Sequence, residues 1–100
     1  MALANKTAFL VCYDIRDQKR WKAVHDALLG FGEAVQLSVF RCMLSDSQRV
    51  KLYEKLRRVI DSKQDSVIFA DLGPADGRGA DAVRTLGVGL GEIKSVAIVV

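Results

Sequence analysis

The sequence predicts an α+β domain in which two helices cover one face of an antiparallel sheet. The chain has 100 residues, half of them hydrophobic, which suffices for one buried core and leaves no room for a second. Short apolar runs rich in β-branched and aromatic side chains alternate with two segments of helical period. This composition excludes a disordered chain, and the length excludes a two-domain protein.

The first predicted strand is the apolar run 7–15, which stops at a charge and has the content of a central strand buried on both faces. Asp17 is the expected N-cap of the first helix. Apolar residues recur along that helix at spacings of three and four, namely at Trp21, Val24, Leu28 and Phe31. Gly30 and Gly32 are expected to end it.

Residues 35–44 are again strand-like but long for one strand, so one bent strand and two short strands both remain open. Ser45 and Gln48 have the spacing of a capping box and predict the start of a second helix. Its buried stripe consists of Leu52, Leu56, Val59 and Ile60.

The run 66–72 predicts the next strand, and 95–100 predicts a last strand of strong β propensity. Between them, residues 73–94 hold six of the eight glycines and the only proline, which predicts an irregular connection with a short helical piece near 80–86. The element order matches a single ferredoxin-like βαββαβ domain over residues 1–100, with an extra C-terminal strand.

Two helices can cover only one face of this sheet. The apolar residues of the other face, together with the apolar final strand, predict burial against a second copy of the chain, most economically in a two-fold homodimer.

The chain is expected to be a soluble cytoplasmic protein with no membrane partner. No apolar run reaches the roughly 18 residues of a membrane span, and the N-terminus lacks the features of a signal peptide. Cys12 and Cys42 fall in apolar runs rather than at metal-ligand spacing, which suits a reducing compartment. A formal net charge of +3 permits a polyanionic partner.

Asp14 is the main candidate for chemistry, because it ends a buried strand while Asp17 already serves as the helix cap. One interpretation is that Asp14 binds nearby backbone N–H groups, as aspartates at strand ends do. The other requires a two-fold axis near this strand. Two Asp14 carboxylates would then converge and could hold Mg²⁺ or Mn²⁺ against a phosphate.

Basic side chains cluster at the start of the first helix, where the helix dipole disfavours cations. They are Arg16, Lys19, Arg20 and Lys22, and their place beside Asp14 indicates phosphate binding. The cations on the second helix are interpreted as a solvated face. Tyr13, Trp21 and Phe40 are interpreted as core aromatics, with base stacking by Phe40 as the alternative. His25 is interpreted as a structural histidine.

Several motifs also occur together at specific spacings. They are Tyr13-Asp14-Ile15, Lys19-Arg20, Gly32, Val35-Gln36-Leu37-Ser38-Val39-Phe40 and Asp71-Leu72-Gly73. In combination, over nearly the whole chain, they resemble the second family of CRISPR-associated proteins, the small partner of the CRISPR integrase in spacer acquisition.

This resemblance implies a ferredoxin-like homodimer that acts as an Mg²⁺- or Mn²⁺-dependent endonuclease on single-stranded RNA or double-stranded DNA. Asp14 from each protomer matches the family's catalytic and metal-binding aspartate. Positions implicated in the family's activity fall on or near Tyr13, Arg20, Ser38 and Phe40. The family usually carries a basic residue where this chain has Ala34, a departure that weakens the nuclease hypothesis and leaves a scaffold role untouched.

Two classes of function follow. The leading hypothesis is a dimeric CRISPR adaptation protein that binds duplex DNA, bridges the CRISPR integrase and carries a nuclease centre at the Asp14 pair, where Arg20 or Arg16 neutralises developing charge. The alternative is a ferredoxin-like module without chemistry, either a structural adaptor or an RNA-binding, toxin-like regulator. Asp14→Asn separates them, because it abolishes cleavage if the protein is a nuclease and leaves its support of integration intact if it is an adaptor.

Overall fold

The structure is a computed structural model that describes residues 3–88. Its elements are β1 (Thr7–Asp14), α1 (Gln18–Leu29), β2 (Gly32–Gln36), β3 (Val39–Leu44), α2 (Asp46–Val59), β4 (Ser66–Pro74) and a 3₁₀ turn (Arg78–Asp81). The four strands form one antiparallel sheet in the order β2-β3-β1-β4. This order confirms the predicted ferredoxin-like α+β class.

The core lies between the helices and one face of the sheet. Alternate residues of the two central strands point into the core. Apolar residues that recur with the helical period of 3.6 pack on them from the two helices. The buried set is Phe9, Val11, Tyr13, Phe40, Cys42 and Leu44 from the sheet and Val24, Ala27, Leu28, Leu52 and Leu56 from the helices. Both predicted N-caps are present, at Asp17 and in the capping box of Ser45 and Gln48.

The strand-like segment 35–44 is two strands, and the first of them begins at Gly32, three residues earlier than predicted. Gly30 alone caps α1, with its N–H donating to the carbonyls of Ala27 and Leu28. Gly32 is therefore not a helix terminator. A Cβ at Gly32 would collide with the carbonyl of Arg41 and lie 2.6 Å from the sulfur of Cys42, so glycine is needed where β2 approaches β3.

β4 continues to Pro74, beyond the predicted end at residue 72, and Pro74 pairs with Thr7 at the sheet edge. The predicted helical piece near 80–86 is the 3₁₀ turn, which lies a few residues earlier. The predicted final strand, 95–100, lies outside the described residues.

The second face of the sheet is only partly covered. The segment after β4 folds back on one end of it, where Gly79 packs against Ala8, and residues 83–86 border a cleft of about 240 Å³ beside Leu10. At the other end, Cys12 pairs with Val39 and Ile68 across three strands, and Ile68 is 61% exposed. Among residues 3–88, the uncovered apolar part of this face is thus the end that leads to Asp14.

Candidate active site

Asp14 is the last residue of the central strand β1, and its side chain is 68% exposed. Its nearest cation is Arg16, whose Nη2 lies 3.6 Å from Asp14 Oδ2. Within residues 3–88 the Asp14 carboxylate accepts no hydrogen bond from a backbone N–H. The cap of α1 is Asp17, which accepts from the Arg20 N–H at 3.0 Å. Asp14 therefore carries an available carboxylate at the end of a rigid strand.

A second carboxylate, Asp65, lies buried at the same end of the sheet and was missed by sequence reasoning. Its side chain is fully buried. It accepts from the backbone N–H groups of Arg16 and Asp61, both at 2.9 Å. It also accepts from Arg20 Nε at 2.7 Å and from Arg20 Nη2 at 3.3 Å. Asp65 joins the loop after β1, helix α1 and the start of β4.

The hydrogen bonds from Arg20 hold the pKa of the Asp65 carboxyl well below its usual range, although burial opposes the shift; the backbone donors add to it. The same contact raises the pKa of Arg20. A buried carboxylate with this many donors stays ionised at neutral pH. Asp65 is therefore a structural anion that organises the surroundings of Asp14.

The cations predicted beside Asp14 fall into two groups. Arg20 is engaged by Asp65 and is only 26% exposed, whereas the Arg16 side chain is 66% exposed and Lys19 is also exposed. Lys22 pairs with Asp26 on the surface of α1 at 2.9 Å. Arg16 and Lys19 are thus exposed and, within residues 3–88, their side chains donate no hydrogen bond to a carboxylate, which leaves them accessible to a phosphate.

The predicted aromatic residues lie behind the site rather than on its surface. Phe40 is 0% exposed and Tyr13 is 5% exposed, which confirms that both belong to the core. A fully buried ring offers no face to a base, so stacking by Phe40 is wrong for this structure. Burial raises the pKa of Tyr13 to about 12. The two residues can support the site but do not line it.

Ser38 lies beside Asp14 because its carbonyl accepts from the N–H of Tyr13 at 3.0 Å. It forms, with Leu37, the turn between β2 and β3. Its hydroxyl accepts from Trp21 Nε1 at 3.2 Å. Ala34, where the resemblance leads one to expect a cation, is half-buried against the core and pairs with Phe40.

A metal ion needs more ligands than one described chain supplies. Among residues 3–88 no group of three or more His, Cys, Asp or Glu side chains is placed to hold one. Both cysteines are free; Cys42 is buried, which raises the pKa of its thiol to about 12. Carboxylates suit Mg²⁺ and Mn²⁺, so the ligand type at Asp14 fits such an ion. The number of ligands fits only if a second copy of the chain contributes its own Asp14.

Two of the five cations of α2, Arg49 and Arg57, contact side chains of their own helix. Arg57 binds Glu54 at 2.8 Å and 3.0 Å, and the guanidinium of Arg49 lies 5.5 Å from the centre of the Tyr53 ring. These contacts agree with the predicted solvated face.

The signal that could have revealed Asp65 is topological. In an antiparallel sheet the residue before β4 lies beside the end of β1, so an acid at position 65 meets the basic start of α1. A polar turn such as 61–65 carries no such information on its own.

No helix within the described part of the chain is long and apolar enough to cross a membrane.

The sequence model of the family described as CRISPR associated protein Cas2 matches residues 7–77. A protein of Rhodospirillum rubrum named CRISPR-associated endoribonuclease Cas2 1 is 39% identical over 93% of this chain and 90% of its own length. A protein of Thermus thermophilus named CRISPR-associated endonuclease Cas2 2 is 36% identical over 93% of this chain and 97% of its own length.

Two solved structures also resemble this chain. The crystal structure of Streptococcus pyogenes Cas2 superposes with a TM-score of 0.71 at 33% identity, covering 80% of this chain and 99% of that one. A Thermus thermophilus protein described as hypothetical protein TT1823 also gives a TM-score of 0.71, at 37% identity, over 84% of this chain and 94% of that one.

Proposed function

The chain belongs to the CRISPR-associated protein Cas2 family, and on that premise we propose that it is a metal-dependent endonuclease whose active centre forms when two copies bring their Asp14 side chains together. Relatives named endoribonuclease and endonuclease support hydrolysis of a nucleic-acid phosphodiester. The observation that carries the proposal is the exposed Asp14 carboxylate at the end of β1, with only a long contact to Arg16.

The shape of the sheet supports the pairing of two copies. The segment after β4 covers the end of the open face near Ala8 and Leu10, whereas Cys12 and Ile68 are left for a partner. Asp14 follows Cys12 on the same face, because alternate residues of a strand point to one side. A two-fold copy seated on this end of the face brings the two Asp14 residues towards each other.

Each group near Asp14 has a distinct role in the proposed reaction. The two Asp14 carboxylates would hold Mg²⁺ or Mn²⁺, and the bound ion would supply charge neutralisation at the phosphate and activation of the attacking water. Arg16 and Lys19 bind the phosphate and offset the charge that develops in the transition state. Arg20 acts indirectly, because its guanidinium is bound to Asp65 and thereby positions the loop that carries Arg16.

The same surfaces support a second function. Exposed cations of the loop after β1 and of both helices, such as Arg16, Lys19, Lys51 and Lys55, can bind the backbone of duplex DNA. Family membership supports an adaptation complex in which the dimer bridges the CRISPR integrase. This role requires no chemistry at Asp14, so a variant that has lost cleavage can still perform it.

The test compares the wild type with Asp14→Asn and the matched control Asp76→Asn, which removes another exposed acid, beyond β4. Labelled single-stranded RNA and duplex DNA are incubated with Mg²⁺, Mn²⁺ or EDTA, and cleavage and gel mobility are scored together. We expect Asp14→Asn to reduce cleavage by about 100-fold or more, EDTA to abolish it and Asp76→Asn to leave it unchanged.

Cleavage that survives Asp14→Asn would overturn the assignment of the centre. A salt-sensitive mobility shift without cleavage by the wild type would overturn the nuclease and leave the DNA-binding adaptor. Arg16→Gln and Arg20→Gln distinguish the roles of the two arginines. Arg16→Gln should weaken phosphate binding without changing stability, whereas Arg20→Gln should lower the melting temperature.

A further inference from the structure

A chain of partly buried hydrogen bonds runs from α1 to the turn between β2 and β3. The Tyr13 hydroxyl lies 2.8 Å from the Leu37 carbonyl and 2.9 Å from His25 Nδ1. A phenol has one proton, and a carbonyl oxygen can only accept. The Tyr13 hydroxyl therefore donates its proton in a hydrogen bond to the Leu37 carbonyl. His25 must then donate from its Nδ1–H to the Tyr13 hydroxyl oxygen.

The imidazole is held in place by aromatic neighbours. It stacks on Trp21 with ring centres 4.8 Å apart and planes 13° from parallel. The edge-to-face contact with Phe40 places those ring centres 5.2 Å apart. These contacts from α1 and β3 fix the ring plane, and so they aim Nδ1 at the Tyr13 hydroxyl.

The turn receives three hydrogen bonds from this cluster. Tyr13 donates its hydroxyl to the Leu37 carbonyl and its backbone N–H to the Ser38 carbonyl. Trp21 donates Nε1–H to the Ser38 hydroxyl. Because that hydroxyl already accepts a hydrogen bond, its own proton is free to donate elsewhere. Leu37 is 70% exposed, so the turn reaches the protein surface beside Asp14.

We propose that His25 is a positioning residue for the Asp14 centre: through the Tyr13 hydroxyl it holds the Leu37–Ser38 turn where the Ser38 hydroxyl donates to a backbone oxygen of the bound nucleic acid. The inference rests on the proposed nuclease function.

The test uses two substitutions at His25. His25→Phe keeps a flat ring against Trp21 and Phe40 but removes the donor. His25→Asn places an amide N–H near the position of Nδ1. We expect His25→Phe to lower kcat about tenfold with KM changed by less than about twofold, and His25→Asn to recover most of the loss. In a Tyr13→Phe background, His25→Phe should have no further effect. Tyr53→Phe, which removes a phenol hydroxyl on α2, is the control.

Two measurements do not depend on cleavage. Nitrogen-15 NMR of the wild type should show a proton on His25 Nδ1. The Tyr13 amide, which donates to Ser38, should exchange with solvent about tenfold faster in His25→Phe than in the wild type or in His25→Asn.

The outcomes separate this inference from the proposed function. Full kcat in His25→Phe, no recovery in His25→Asn or an Nδ1 without a proton would overturn the role of His25 even if the wild type cleaves. If the wild type does not cleave, the nuclease proposal fails. Amide exchange then decides the coupling: faster exchange in His25→Phe alone supports it, and equal exchange in all three proteins overturns it.

Discussion

Arg20 on α1 binds Asp65 ahead of β4 through two guanidinium N–H groups, across 45 residues of sequence. The carboxylate is fully buried and is further bound by the N–H groups of Arg16 and Asp61. The contact joins the loop after Asp14 to the start of the neighbouring strand. The Arg20–Asp65 ion pair therefore stabilises this end of the sheet. It also positions the loop that carries the exposed side chain of Arg16.

Asp65→Asn should lower the melting temperature by about 10 °C or more, because it leaves the Arg20 cation without its anion and weakens two backbone contacts. Thermal unfolding followed by circular dichroism measures the effect. The control Asp26→Asn removes an exposed ion pair with Lys22 and should change the melting temperature by less than about 3 °C. Equal effects of the two substitutions would contradict a structural role for Asp65.

Stability should also depend on pH through Asp65. Its pKa in the folded protein lies below the ordinary value, chiefly because Arg20 donates to it, so the unfolded chain takes up a proton first as the pH falls. The stabilisation is complete above about pH 5 and is lost progressively as the pH falls below about 4 towards the folded pKa. The urea midpoints of the wild type and Asp65→Asn should therefore converge on acidification. A midpoint difference that stays constant from about pH 7 to about pH 2.5 would contradict this.

Ile68→Asp should convert the proposed dimer to a monomer, because it places a charge in the uncovered row that contains Cys12. Maleimide labelling of Cys12 should then become about tenfold faster. Cys42 should remain unreactive in both proteins, since it is buried and its pKa of about 12 leaves little thiolate.

Val50→Asp is the matched control for the dimer, because Val50 is an apolar residue of α2 that is 51% exposed. Light scattering after size exclusion should show a dimer for this variant and for the wild type. A dimeric Ile68→Asp would place the interface elsewhere.

Gly32→Ala should lower the free energy of unfolding by about 2 kcal/mol, because a Cβ there collides with β3. Gly30→Ala is the matched control: Gly30 caps α1 with a φ of −77°, and a Cβ would make an ordinary contact at 3.5 Å. It should change the free energy of unfolding by less than about 1 kcal/mol. Urea unfolding of both variants decides whether close approach of the strands is what requires glycine at position 32.

The apolar run 7–15 predicted that Asp14 lies near the end of a central strand, and both helix caps and most element boundaries could be predicted from local pattern. These features depend on interactions between residues close in sequence, which periodicity and cap chemistry report directly. Gly32 was wrongly predicted to end α1, because the local sequence pattern is the same for a glycine that ends a helix and for one that lets a strand approach its neighbour. That distinction depends on Cys42, ten residues further along.

The sequence by itself determined the α+β class, the helix caps and the candidate Asp14, because each follows from local spacing and residue type. Only the tertiary structure decided which cations are accessible, since the Arg20 guanidinium is bound by an acid 45 residues away whereas the Arg16 side chain is 66% exposed. It also decided that Phe40 is buried, and that His25, Tyr13 and the Leu37–Ser38 turn form one network. Burial and long-range hydrogen bonds arise from the packing of distant segments, and no local pattern specifies that packing.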